Sequence, residues 1–171
     1  LATLLVPSKP LPKLDYSKGI PKGERTLVVV PTMLSSVSNV EDLAESLEVR
    51  FLANRDDNLC FALLTDFLDA SEELMPQDAS LVQLMSGKIN ELNQKYRSSS
   101  RDIFFLFHRP RLFNPSEGVW MGFERKLGKL SALNSVLRGG SQDCFSTIVG
   151  DLTALTGTKY VITLDTDTHL P

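Results

Sequence analysis

Two carboxylates close to the end of the chain, Asp165 and Asp167, have the types and spacing to do chemistry. They stand at i and i+2 directly after Tyr160-Val161-Ile162-Thr163-Leu164, a run of strand-forming residues. That spacing sets two hard oxygen ligands on a rigid strand end. It suits Mg²⁺ or Mn²⁺ bound to a phosphate-bearing substrate, because Mg²⁺ takes few protein oxygens and completes its shell with phosphate and water. Asp, Thr and Pro are also turn residues, so the same stretch describes a solvated turn equally well. His169 follows closely, either as a further donor or as an ordinary surface or packing residue.

A second informative stretch is Gly128-Lys129-Leu130-Ser131-Ala132-Leu133-Asn134. A glycine lets backbone approach a ligand closely, Lys129 offers a point charge, and Asn134 lies one turn past Leu130. The plain alternative is a helix start with a surface lysine. Asp66 ends an apolar run and could accept hydrogen bonds from a ribose or a base, or serve as a cap. Trp120 and Phe123, set among Gly118 and Gly122, could stack on a sugar, although core packing is the preferred reading of both. Neither histidine has partners for a Ser-His-Asp arrangement. The absence of G-x-G-x-x-G and Walker patterns excludes the dinucleotide and P-loop classes.

The elements that must position these residues fit one domain. The chain has 171 residues, 42% hydrophobic and 23% charged, and a net charge of −3, which leaves no nucleic-acid footprint. Six cations (Arg109, Arg111, Arg125, Lys126, Lys129, Arg138) face two acids between residues 108 and 138, suiting an anionic ligand such as a diphosphate or forming a solvated helix face. Cys60 and Cys144 lack metal-ligand spacing and read as reduced core residues. No apolar run is long enough to span a bilayer and no signal peptide is evident. Leu1 to Val6 reads as the tail of something longer.

Residues 1–25, with Pro7, Pro10, Pro12 and Pro21, form an extended lead-in, and residues 26–171 form the domain. Thr26 to Pro31 is apolar at consecutive positions, so the strand it predicts is covered on both faces. Ser38 and Glu41 form a capping box for a helix whose stripe is Val40, Leu43, Ala44, Leu47 and Phe51. Asn58 to Leu64 is a second strand. Asp78 caps a second helix carrying Leu81, Leu84, Met85, Ile89, Leu92 and Tyr96. Ile103 to Phe107 is a third strand, followed by a basic, proline-containing connection. A third helix spans about 124–137, with Phe123, Leu127, Leu130 and Leu137 on its buried side and Gly139-Gly140 as its stop. Phe145 to Val149 is a short extra strand, and Tyr160 to Leu164 is the last.

Strands alternating with helices predict an α/β fold with a mainly parallel sheet of about four strands and helices on both faces. Right-handed crossovers then gather Pro31, Thr32, Asp66, Arg109, Asp165 and Asp167 on one sheet edge, where α/β proteins bind ligands. That convergence favours the metal reading of the Asp pair over the turn reading.

The order of these motifs resembles the first half of a GT-A, nucleotide-sugar-dependent glycosyltransferase, a Rossmann-like fold. More narrowly, Thr26-Leu-Val-Val-Val-Pro-Thr-Met-Leu34, Phe105-Leu-Phe-His-Arg-Pro-Arg111, Gly118-Val-Trp-Met-Gly-Phe-Glu-Arg-Lys126 and Val161-Ile-Thr-Leu-Asp-Thr-Asp167 are similar to the glycosyltransferase region of cyclic β-1,2-glucan synthases. The resemblance implies transfer of glucose from UDP-glucose onto a growing β-1,2-glucan, with Mg²⁺ or Mn²⁺, at the cytoplasmic face of the bacterial inner membrane. The parent it implies is a large multi-pass enzyme, although this segment itself does not span the membrane. By position, it implies that Pro31 and Thr32 line a uridine pocket and that Asp66 approaches base or ribose. Lys129 falls near uracil or diphosphate, Asp165 near ribose or metal, and Asp167 on the metal; Asn134 joins the substrate-binding set. Met33-Leu34-Ser35-Ser36 replaces the acidic residue that related transferases often carry after the first strand.

The resemblance also implies that the second half of the domain, with the general base, lies downstream. The piece alone is then expected to be inactive and to bind UDP weakly. Its Tyr160–Leu164 strand becomes an exposed edge open to pairing with a second copy. Two alternatives share the stretch: a non-catalytic nucleotide-sugar-binding or scaffold module, and a haloacid-dehalogenase-like phosphatase with Asp165 as nucleophile. The second is disfavoured because its motif opens a domain, whereas here it comes last.

Overall fold

The computed structural model describes residues 16–96 and 101–166. Its main sheet has five strands in the order β6-β3-β2-β1-β7. These are β1 (Thr26–Leu34), β2 (Leu59–Phe67), β3 (Phe104–His108), β6 (Thr147–Val149) and β7 (Tyr160–Thr163). β7, β1, β2 and β3 run parallel, and only β6 is antiparallel, pairing with β3. The α/β, mainly parallel expectation is thus met with five strands in place of about four, and the short strand expected within 145–149 is β6.

β2 is buried at every one of its nine positions, as its unbroken apolar sequence requires. Helices α1 (Val37–Ala53) and α2 (Asp78–Tyr96) cover one face of the sheet, where Leu47, Phe51, Met85 and Ile89 meet Val28, Phe61, Leu63 and Phe104. On the other face, α3 (Arg125–Leu137) and the segment through Leu155 bury Leu133, Phe145 and Leu155 against Leu27, Val29, Leu64 and Phe107. Each such large apolar side chain stabilises the fold by about 1.5–3 kcal/mol.

Four local expectations change. The first helix is capped by Ser36, whose Oγ accepts from the Asn39 amide at 3.1 Å, and not by Ser38. Ser36 is the residue still in extended backbone, so its side chain is the one that reaches the free amides. The connection after β3 holds a hairpin, β4 (Leu112–Asn114) with β5 (Val119–Met121), tied to the rest by the Ala70–Trp120 bridge. Phe123 and Leu127 are exposed at 57% and 71%, while Gly128, Lys129 and Leu133 form the buried side of α3. The helix is rotated so that a lysine enters the interior, and apolar spacing alone gives no sign of that. Cys60 is buried but Cys144 is exposed, and both are free thiols.

β7 pairs only with β1, and its Val161 and Ile162 are 42% and 46% exposed, so this end of the sheet is an uncovered apolar edge among the described residues. No described helix is long and apolar enough to cross a membrane.

Candidate functional site

The carboxyl ends of β1, β2 and β7 and the start of α3 enclose a cleft of about 280 Å³. Pro31, Thr32 and Met33 supply one wall, Asp66 and Phe67 the floor, and Gly122, Arg125, Lys126 and Lys129 the opposite wall. Parallel pairing places Thr32 opposite Thr65 and Met33 opposite Asp66, which is why residues far apart in sequence meet here.

Asp66 is the centre of a buried charge cluster. Arg109 donates from Nε to its Oδ1 at 2.8 Å and from Nη2 to its Oδ2 at 3.1 Å, and Lys129 Nζ lies 2.9 Å from the same Oδ2. Lys129 also donates to the Thr32 carbonyl at 2.7 Å. Asp66, Arg109 and Lys129 are only 4%, 6% and 4% exposed, so two cations and one carboxylate leave a local excess of positive charge beneath the cleft. Burial lowers the Lys129 pKa, and Asp66 works in the opposite direction. A carboxylate offers about four acceptor positions, so three donors leave Asp66 room for one more.

The loop above this cluster approaches it at van der Waals limits. A Cβ at Gly122 would sit 2.5 Å from Asp66 Oδ2, and one at Gly128 would sit 2.2 Å from the Phe123 carbonyl. Glu124 and Arg125 both adopt left-handed backbone, with φ of 49° and 45°. For non-glycine residues this costs about 1–2 kcal/mol each. The strained turn aims Arg125 and Lys126 at the cleft rim, where Arg125 Nη2 meets Asp69 at 3.0 Å and Lys126 is ion-paired with Asp165.

Arg111 repeats the same device further from the cleft. Its guanidinium is paired with the buried Asp78 and donates from Nε to the Leu68 carbonyl at 2.6 Å. The positive run after β3 therefore does less for an anionic ligand than its sequence suggests, because Arg109 and Arg111 are both committed to internal carboxylates. Beneath them His108 is 1% exposed, with Nδ1 2.8 Å from Thr65 Oγ and Nε2 without a hydrogen-bond partner. Burial pushes its pKa down to about 4, so the ring is neutral near pH 7.

Of the residues expected at the site, Pro31, Thr32, Asp66 and Lys129 line one cleft, and Asp165 reaches its mouth through Lys126. Asn134 is elsewhere, in a groove between α3 and β7. Asp167 and His169 lie outside the described residues. Among the described residues no three His, Cys, Asp or Glu side chains cluster as a metal site, and Asp165 offers a single exposed carboxylate there. Arg125 and Lys126, read in the sequence only as part of a basic run suiting a diphosphate, and Gly122, read only as a neighbour of Trp120 and Phe123, all line this cleft.

No protein-family model matches the chain. It is 41% identical over 168 residues to the cyclic β-(1,2)-glucan synthase NdvB of Rhizobium meliloti (strain 1021), covering 98% of this chain but only 6% of that protein. The chain is accordingly a homologue, over nearly its whole length, of one segment of a cyclic β-(1,2)-glucan synthase.

Proposed function

We propose that this chain forms the donor-binding part of a glycosyltransferase that takes glucose from UDP-glucose and builds β-1,2-glucan. The observation that carries the reading is the meeting of Thr32, Asp66 and Lys129 in one cleft at the strand carboxyl ends, with the Asp165 end of β7 at its mouth. Binding at that edge is the rule for open α/β sheets. Pro31 and Thr32 line the uridine side, and the remaining acceptor position of Asp66 takes a hydrogen bond from base or ribose. Lys129, Arg125 and Lys126 supply the positive field for the diphosphate.

Mg²⁺ or Mn²⁺ fits Asp165, a hard oxygen donor whose present partner is an exchangeable ammonium. When bound, such an ion neutralises charge on the departing diphosphate. Asp167 is proposed as its second ligand. No described residue is assigned as the general base. In a full-length synthase Asp167→Asn is expected to abolish transfer, and unchanged glucan synthesis would overturn the metal assignment.

A second reading, a non-catalytic nucleotide-sugar-binding module, draws support from the mutual satisfaction of Asp66, Arg109 and Lys129. Sugar-nucleotide turnover by a full-length synthase, lost on substitution within this cleft, separates the two. The phosphatase alternative is disfavoured because Asp165 leaves an edge strand and is 61% exposed at its side chain, a poor setting for an activated nucleophile. We further propose that the parent is a multi-pass protein with this domain on the cytoplasmic face of the inner membrane, and that the β7 edge supports pairing of two isolated copies.

A further inference from the structure

We infer that Arg109 is the positioning residue of the cleft: one guanidinium fixes both the Asp66 carboxylate on its floor and the strained turn that carries its rim cations. The inference rests on the nucleotide-sugar reading of the cleft and adds a residue and a mode of action to it.

The geometry is specific to a planar fork. Nε and Nη2 of Arg109 meet the two oxygens of Asp66 at 2.8 and 3.1 Å, so the carboxylate plane is set as well as its position. The same Nη2 donates to the Arg125 carbonyl at 3.2 Å. That carbonyl belongs to the second of two consecutive left-handed residues, Glu124 and Arg125, where backbone strain persists only if the surroundings hold it. The backbone amide of Arg109 donates to the Thr65 carbonyl at 2.9 Å, so the residue is itself anchored to the end of β2. Gly128 closes the arrangement from above, since a Cβ there would lie 3.1 Å from Arg109 Nη1. Arg109 thus connects β2, the residue after β3 and the first turn of α3 without lining the cleft.

A lysine at this position keeps the charge but holds a carboxylate by a point contact and has no second arm for the Arg125 carbonyl. Asp66 is then free to rotate about its side chain, and the turn bearing Arg125 and Lys126 loses its tie. Misplacement by about an ångström is enough to weaken a ligand site, while the fold, with two separate apolar clusters on the sheet faces, stands without this contact.

Arg111 supplies an internal control. It also sits after β3, is 4% exposed, and forks onto a buried carboxylate, Asp78, but that carboxylate starts α2 and does not line the cleft. If buried arginine forks were only structural, Arg109→Lys and Arg111→Lys would behave alike.

The test is steady-state kinetics for UDP-glucose in a full-length glucan synthase carrying this segment, with thermal unfolding measured in parallel. Arg109→Lys is expected to raise KM on the order of 10-fold over Arg111→Lys at matched loss of thermal stability. Equal KM values for the two variants would overturn the inference. Should Arg109→Lys fail to fold, Arg109→Gln, whose shorter planar amide cannot reach both Asp66 and the Arg125 carbonyl, carries the same comparison against Arg111→Gln. The double substitution Arg125→Gln with Lys126→Gln, at two exposed rim positions, tests the cleft itself. An unchanged KM there overturns the nucleotide-sugar reading and the inference with it. A raised KM there, with Arg109→Lys and Arg111→Lys equal, overturns only the role of Arg109.

Discussion

Lys126, in the first turn of α3, is ion-paired with Asp165 just beyond β7, so a contact between residues 39 apart spans the cleft mouth. Both side chains are more than half exposed, at 51% and 61%, which limits what the pair contributes to stability. Exposed pairs contribute about 0–1 kcal/mol. Lys126→Met is therefore expected to leave the urea midpoint almost unchanged. Removing the competing ammonium should also tighten binding of Mn²⁺ alone, measured by the electron paramagnetic resonance of the free ion. Weaker or unchanged Mn²⁺ binding would argue against Asp165 as a ligand.

The Asp66 and Asp78 forks behave oppositely to that surface pair. Removing either carboxylate leaves a buried guanidinium uncompensated, and at Asp66 a buried ammonium as well. Asp66→Ala and Asp78→Ala are each expected to destabilise the chain by about 3–5 kcal/mol. Chemical denaturation checks this, and losses below about 1 kcal/mol would show that water reaches the arginines.

His108 predicts a pH dependence with a definite sign. Burial holds its pKa at about 4 in the folded chain, below the ordinary histidine value of 6.5. The unfolded chain therefore binds more protons in that window, so stability is fully present above pH 6.5 and falls as the pH drops towards 4. The contribution lost is at most about 3 kcal/mol. His108→Asn can still hydrogen-bond Thr65 but does not titrate, and it is expected to flatten this part of the profile. An unaltered slope between pH 6.5 and 4 would assign the dependence to carboxylates instead.

The β7 edge predicts self-association of the isolated chain. Ile162 lies 46% exposed on a strand that, among the described residues, pairs on one side only. Ile162→Lys, a charge of the kind that blunts natural sheet edges, is expected to shift the protein to monomer in sedimentation velocity. A wild-type chain that is monomeric at high concentration would refute the edge as a pairing surface.

Most of the sheet was legible because β1, β2 and β3 are buried on both faces and so carry unbroken apolar runs. The stripe of α1 was legible for the related reason that one helix face meets a flat sheet. α3 was not, since its inward face is Gly128, Lys129 and Leu133, and only the pairing of Lys129 with Asp66 makes a buried lysine tolerable. Spacing rules cannot foresee a partner 63 residues away. The same holds for the forks of Arg109 and Arg111: sheet topology puts Arg109 on the edge with Asp66, but neither its pairing nor that of Arg111 with Asp78 can be read from the sequence. Thr32, Asp66 and Asp165 were recognisable because strand ends in a parallel sheet share one edge. Asn134, which only the resemblance joined to the substrate set, lies further along α3 in the groove facing β7 and away from that edge.

Photolabelling tests the central claim most directly, that the cleft at the carboxyl ends of β1 and β2 holds a nucleotide sugar. A full-length synthase carrying this segment is irradiated with an azido-uracil analogue of UDP-glucose, and the adduct is mapped by mass spectrometry. The account predicts adducts on peptides containing Pro31 and Thr32 or Asp66, suppressed by excess UDP. Labelling confined to peptides outside this cleft, or insensitive to UDP, would contradict it.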